Sequence, residues 1–392
     1  MTAQSIRQDS SPCPACTDRD VVITSISEAS SLQAIAEPWR EFETHAANPN
    51  LFTSVDWCRH AFNQLDRDKN RHFLIAQAYE NQRLVALWPL STRKHGALRI
   101  ASSIAAPFDQ YSDLLLAPDV APERTIDAIL DHLRRAHVAD GLILRKVKTT
   151  SDLYGHLRNK AHVINHNAEA PHISLDPDQP FDAFLKQLNS KTRKNLRNYA
   201  NRLQREGNVE HVVIEGPKTG QVIAQCFDER NAWLTDNGYS SEAFRDPHFK
   251  QFLLGLAKAD RALGLVAFVL KIDGEPVALQ WGFIRGDCYY AFMSCRNPKY
   301  ESFSVGRLHL RHIIEVCHKF GLRTIDLMVP ASPYKMNWTK QTEPVVDIVQ
   351  PWSAKGHVVL GLLERNVRPA VKRCLGKAPT ALRKPVMALL NR

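Results

Sequence analysis

Two stretches of the chain, 72–91 and 265–284, share one outline, and that repeat limits the fold more than any other feature. HFLIAQAYENQRLVALWPLS reads as strand, tight turn, strand, with Asn81-Gln82 at the turn. LVAFVLKIDGEPVALQWGFI reads the same way, with Asp273-Gly274 at its turn. Val85-Ala86-Leu87 aligns with Val277-Ala278-Leu279. A further strand follows each hairpin, at 113–117 and at 288–295. A helix comes next, at 121–138 and at 304–320, and a closing strand at 142–147 and at 324–329. Hairpin, strand, helix, strand is an α/β unit with a parallel step across the helix, here used twice.

Helical segments precede both hairpins. The second of them, FDAFLKQLNSKTRKNLRNYANRLQREG, is strongly basic. Ser190 caps its helix in this reading, which runs to Gly207, with Leu196, Tyr199 and Leu203 on one stripe. Its cations, Arg193 and Arg197 among them, form either a solvated face or a contact for an anionic group on a substrate. The run HNAEAPHISLDPDQP at about 165–180 marks a boundary. The expected organisation is a disordered leader at 1–20, a degenerate first unit at 21–170, a second unit at 171–352 and a basic tail at 353–392.

A chain of 392 residues, 44% hydrophobic and 23% charged, suits two globular domains. Nothing in it approaches the ~20 apolar residues of a membrane-spanning helix. The expected location is cytoplasmic, with possible attachment to the inner membrane face. The net charge of +10 sits mostly from Lys355 onward, where nine Lys/Arg face one acid, Glu364. The folded body is close to neutral, which argues against nucleic acid as a partner. Val359, Leu363, Val367, Val371 and Leu375 alternate with cations in that tail. The pattern fits a packed helix or peripheral contact with an anionic membrane. Cys13 and Cys16 form a lone CxxC with no second ligand pair near it, so no metal is expected.

In a parallel α/β step, ligands collect at the strand's carboxyl end and at the next helix's N-terminus. In the second unit that junction is Met293-Ser294-Cys295, then Ser304-Val305-Gly306-Arg307. Free helix N–H groups and about half a positive charge suit a diphosphate there. The matching place in the first unit, APDVAPE at 117–123, carries prolines and acids, so that unit reads as structural. Tyr334 follows the last strand and can reach the same cleft as a proton donor. Packing beside Lys335 explains it equally well.

Three stretches now resemble the GNAT superfamily of acyltransferases, closest to its CelD-type branch, associated with cellulose and exopolysaccharide biosynthesis. They are SKTRKNLRNYANRLQREG; DGEPVALQWGF with YYAFMSCRNPKYESFSVGRLHL; and GLRTIDLMVPASPYKMNW, where Tyr334, Lys335 and Trp338 match a YKxxW pattern. The chain has Ser304-Val305-Gly306 where that family has Ser-Pro-Gly, and VPAS in place of a Gly-rich run. The resemblance covers about residues 20–350. It implies tandem GNAT-like α/β domains, each a mixed sheet flanked by helices, and an acetyl-CoA or other acyl-CoA co-substrate. It also implies direct transfer to an amine or hydroxyl of a small-molecule or glycan acceptor. Positioning alone supplies roughly 7–11 kcal/mol to such a reaction. An N–H between Met293 and Cys295 would serve the oxyanion. Tyr334 would be the acid, and Asp228, Glu229 or Glu301 the base. Arg193, Arg197, Trp233, Gln280, Lys335 and Trp338 are the candidate substrate contacts. Cys295 as a nucleophile has no His–Asp partner in the sequence. The basic helix also resembles Fem-type aminoacyltransferases, which use charged tRNA. A non-catalytic scaffold in polysaccharide synthesis is the third reading.

Overall fold

The computed structural model describes residues 20–239, 241–259 and 261–362. Cys13, Cys16, the expected leader and most of the basic tail lie outside them.

The first half runs β1 (Asp20–Ile26), α1 (Ala29–His45), α2 (Val55–Leu65), β2 (Arg71–Glu80), β3 (Arg83–His95), β4 (Leu98–Ser103), β5 (Leu115–Leu116), α3 (Pro122–Arg135), β6 (Gly141–Lys148), α4 (Asp152–Leu157) and β7 (His162–Ser174). The second runs α5 (Phe181–Gln187), α6 (Ser190–Leu203), β8 (Val209–Glu215), α7 (Thr219–Asp236), α8 (Glu242–Arg245), α9 (Phe249–Leu256), β9 (Leu265–Ile272), β10 (Glu275–Arg285), β11 (Cys288–Arg296), α10 (Val305–Lys319), β12 (Thr324–Asp326), α11 (Pro333–Met336), β13 (Thr342–Pro351) and α12 (Ala354–Leu362).

One mixed sheet carries both halves, in the order β1-β2-β3-β4-β6-β13-β7-β12-β11-β10-β9-β8, with β5 beside β3. Read inward from either edge, the order is the same: hairpin-bearing strands, a parallel pair, then two antiparallel strands. The parallel pairs are β4 with β6 and β11 with β12. The two central strands are exchanged. β7 follows β6 in sequence yet pairs with β12, and β13 follows β12 yet pairs with β6. β7 and β13 also pair with each other. The run 165–180 thus falls partly within a strand that joins the halves.

Both hairpins turn through left-handed pairs: Asn81 and Gln82 at φ 53° and 63°, Asp273 and Gly274 at 49° and 82°. Each hairpin also carries a bulge at the same aligned position. The ladder passes over Val85 in β3 and over Val277 in β10. One extra residue at equivalent points twists both hairpins alike, which ties the two halves together as copies of one unit.

Three local expectations change. The strand at 113–117 shrinks to Leu115–Leu116. Its place in the sheet belongs to β4, reached from β3 through Gly96 at φ 58°. The closing strand at 324–329 stops at Asp326, because Met328 is left-handed at φ 56° and leaves the ladder. The basic helix is capped by Asn189, whose side chain accepts from Thr192 N at 2.7 Å, and it ends at Leu203.

Two cores cover the faces of the second half. α7 and α9 pack on one face with Trp281, Phe283 and Cys226. α6 and α10 pack on the other with Leu196, Leu308, Ile313 and Ile314. Each fully buried Ile or Leu contributes roughly 1.5–3 kcal/mol, which is what fixes α10 against the sheet.

Candidate functional site

β11 and β12 pair only from Cys288 to Tyr290. β12 then ends, while β11 continues to Arg296 against β10. The ladder passes over Phe292, a bulge that bends β11 away from its parallel neighbour. The result is a crevice at the carboxyl end of a parallel pair, walled on one side by the unpaired edge of Met293-Ser294-Cys295-Arg296.

Among the described residues the first half has no such opening. Residues 104–114 fill the matching place with buried, bonded groups. Asp109 accepts from Trp57 Nε1 at 2.7 Å and from Ala105 N at 3.0 Å. Ser112 Oγ lies 2.6 Å from Ser103 Oγ and accepts from Arg145 N at 3.2 Å. Tyr111 crosses to the second half and donates to Asp326 at 2.8 Å. The second half's counterpart, the turn Pro298–Phe303, buries none of its residues.

α10 starts at the mouth of the crevice. Its N-cap, Ser304, is left-handed at φ 52° and makes no side-chain cap bond. Ser304 O accepts from Arg307 N at 2.9 Å. The amides of Val305 and Gly306 have no acceptor among the described residues. Such first-turn amides are the groups that seek an outside anion. A Cβ on Gly306 would meet nothing nearer than Arg296 Cδ, at 3.8 Å. Arg296 therefore stands over the helix start, a contact the sequence reading did not assign. Glu301 pairs with it at 3.3 Å, both side chains being exposed.

Tyr334 lies across this opening. Its hydroxyl donates to Gly306 O at 3.3 Å. Burial pushes its phenol well above the ordinary range, with Arg296 and Arg307 pulling it partly back. It remains a proton donor at neutral pH. Lys335 donates to Met328 O at 2.8 Å and Pro330 O at 2.9 Å, bracing the chain as it leaves β12. Burial lowers its pKa to about 8, against the pull of Asp326, and Arg230 lowers it further.

α7 closes the other side. Cys226 Sγ lies 3.3 Å from Cys295 Sγ. Cys226, Glu229, Arg230 and Trp233 fall at helical spacing on one stripe, so Cys226's contact turns that stripe toward β11. Contact with Cys226, then burial, raises the Cys295 thiol well above its usual range, and Glu229 beside it adds to the effect. Trp233 is 46% exposed at the rim, stacked with Tyr239 at 5.5 Å and under Arg230 at 4.6 Å.

The structure thus brings together Met293, Ser294, Cys295, Ser304, Val305, Gly306, Arg307, Glu301, Tyr334, Lys335, Glu229 and Trp233. The remaining candidates lie elsewhere. Asp228 points to solvent and pairs with Lys250 at 2.6 Å. Gln280 is buried against Tyr289, and Trp338 is 3% exposed in the α6–α10 core. Arg193 donates to Lys186 O and Leu188 O, and Arg197 is exposed one turn further along α6. Among the described residues no group of His, Cys, Asp or Glu is set to hold a metal. No described helix is long and apolar enough to cross a membrane.

Residues 190–336 match the acetyltransferase (GNAT) domain family. Over that span the second half is similar to GNAT-type acetyltransferase domains. Its matched span runs from the first residue of α6 to the end of α11 and contains the whole crevice. The described fold is similar to the crystal structure of FemX, at a TM-score of 0.59 and 10% identity, over 84% of this chain and 98% of that one. A conserved protein of unknown function from Bacteroides thetaiotaomicron VPI-5482 gives 0.53 and 13%, over 84% and 100%. A tandem GNAT protein from the clavulanic acid biosynthesis pathway gives 0.48 and 13%, over 85% and 99%. No curated protein matches the chain in sequence. The likenesses to FemX and to the Bacteroides protein span both halves of the described fold.

Proposed function

We propose that the chain transfers an acyl group, acetyl in the simplest case, from an acyl-CoA to an amine or hydroxyl of a sugar or cell-envelope precursor. This is the CelD-type reading. The observation that carries it is the start of α10, where the Val305 and Gly306 amides lack acceptors among the described residues, beside Arg296 and Arg307, at a crevice between parallel strands that its own loop leaves unfilled. A CoA diphosphate fits that charge and donor set. The thioester then lies along the free edge of Met293–Cys295, where one outward backbone N–H, that of Ser294, stabilises the oxyanion by about 3 kcal/mol.

The acceptor enters from the α7 side, past Trp233. Glu229 takes its proton as the nucleophile attacks the thioester carbon. The C–S bond breaks, and Tyr334 protonates the departing thiolate. Cys295, held as a neutral thiol, packs beside the acyl group and is not the nucleophile. The first half serves as structural support, since residues 104–114 occupy its crevice. The tail beyond α12 carries the cations for peripheral contact with an anionic membrane, where a lipid-linked acceptor would be found.

Calorimetry with acetyl-CoA tests the reading. Saturable one-to-one binding that weakens on Arg307→Glu is expected. Binding of charged tRNA in place of acetyl-CoA would move the chain to the Fem-type reading, and binding of neither would leave a scaffold.

A further inference from the structure

A cavity of about 570 Å³ lies between α5, α6, β8 and α10, away from the crevice. Lys186, Arg193, Arg197 and Arg311 line it, against one carboxylate, Asp182. Lys186 and Arg197 have no acidic partner among the described residues. Arg193 holds two backbone carbonyls with one nitrogen, and Arg311 reaches Glu315 at 3.4 Å. On the opposite wall the rings of His211 and His312 stack at 3.7 Å, 24° from parallel. An excess of cations around a concave space of this size fits a multivalent anion, not a surface counter-ion.

We propose that this cavity is a second ligand site, for a small molecule carrying a phosphate or diphosphate, separate from the acyl-CoA. It lies on the α6 side of the sheet and touches α10 at Leu308, Arg311 and His312, beyond the first turn that faces the crevice. Arg197 and Lys186 hold the phosphate oxygens, and the histidine pair completes the cradle. Partial burial keeps both rings neutral in the empty site, helped at His211 by its stacked neighbour; Glu315 opposes this, while Arg311 and, for His312, Lys319 reinforce it. His309 adjoins the pair from the buried side of α10. A bound dianion reverses the balance and draws a proton onto the stack, so binding strengthens as pH falls.

Titration calorimetry of the full chain with inorganic pyrophosphate, at pH 6.0 and 7.5 and in buffers of different ionisation enthalpy, tests this. Expected is net proton uptake and binding at least about threefold tighter at the lower pH. Saturating acetyl-CoA should remove only the pyrophosphate held at the start of α10 and leave one equivalent bound in this cavity. Arg197→Gln, at an exposed position with no structural bond, should weaken it about tenfold, one charge-assisted contact. His211→Asn with His312→Asn should remove the proton uptake. UDP and glucose 1-phosphate, offered separately, distinguish a nucleotide from a sugar as the carrier. No pyrophosphate binding at either pH, displacement of all of it by acetyl-CoA, or wild-type affinity in Arg197→Gln with acetyl-CoA saturating would each overturn the proposal. Acetyl-CoA binding, read in the same instrument, stands or falls independently.

Discussion

Gly306→Ala should raise stability and lower acyl-CoA affinity at once, and that opposition of signs is the sharpest consequence of the geometry. Gly306 sits in the first turn of α10, outside the left-handed region, and a Cβ there meets nothing closer than 3.8 Å. Alanine is therefore accommodated, and the helix gains about 0.5–1 kcal/mol from the lost glycine entropy. Spread over the unfolding entropy of a chain of this length, that is roughly a 1 °C rise in Tm. Cα–Cβ bonds in a helix lean toward its N-terminus. The new methyl group therefore stands over the open amides, where the diphosphate must approach. Loss of one charge-assisted hydrogen bond costs about 1.5–3 kcal/mol, a ten- to hundredfold rise in Kd for acetyl-CoA. Differential scanning calorimetry and isothermal titration on the same preparations read both quantities. Unchanged affinity, within about twofold, would refute the reasoning even if Tm rose as expected.

Glu229→Gln should lower kcat by about 10²-fold or more with little change in KM, the signature of a lost proton acceptor. Asp228→Asn, facing solvent, should leave kcat within about twofold. Tyr334→Phe should lower kcat for poor thiol leaving groups most, measured with acyl-CoA analogues of differing thiol acidity. Burial raises Asp109 to about 7, so its protonated form stabilises the fold fully below the unfolded pKa of about 4, and that contribution is lost as pH rises through 7. Asp109→Asn should flatten the fall in unfolding free energy between pH 4 and 7, measured by urea titration. Removal of residues 363–392 should abolish co-sedimentation with anionic vesicles and leave acetyl-CoA binding intact; equal sedimentation by both forms would end the membrane reading.

The hairpins were legible because their signals are local. Asn81-Gln82 and Asp273-Gly274 take the left-handed geometry that such pairs favour, and the aligned Val85 and Val277 prove to be the two bulges. The start of α10 was legible for the same reason, since a glycine follows a strand that ends in open chain. β4 was missed although Gly96 marks its turn, because Arg99, Ser102 and Ser103 blur its alternation. The exchange of β7 and β13 could not be read, since pairing partners more than a hundred residues apart leave no local trace. The choice between Asp228 and Glu229 had a signal that went unused. Counting by helical spacing from Cys226 and Trp233 puts Glu229 on their stripe and turns Asp228 about 100° away. Arg230 lies on that stripe too and was not considered, and Arg296 was passed over because a strand's last residue carries no periodicity. Arg193 and Arg197 stood out by charge, which marks a surface but not the element it faces. The structure turns them toward a cavity of their own.

Amide hydrogen exchange at the start of α10, followed with and without saturating acetyl-CoA, bears most directly on the account. Slowed exchange at Val305 and Gly306, larger than anywhere in 104–121 of the first half, is the expected outcome. Exchange at those two amides that is indifferent to acetyl-CoA, while the ligand is bound, would place the diphosphate elsewhere and contradict it.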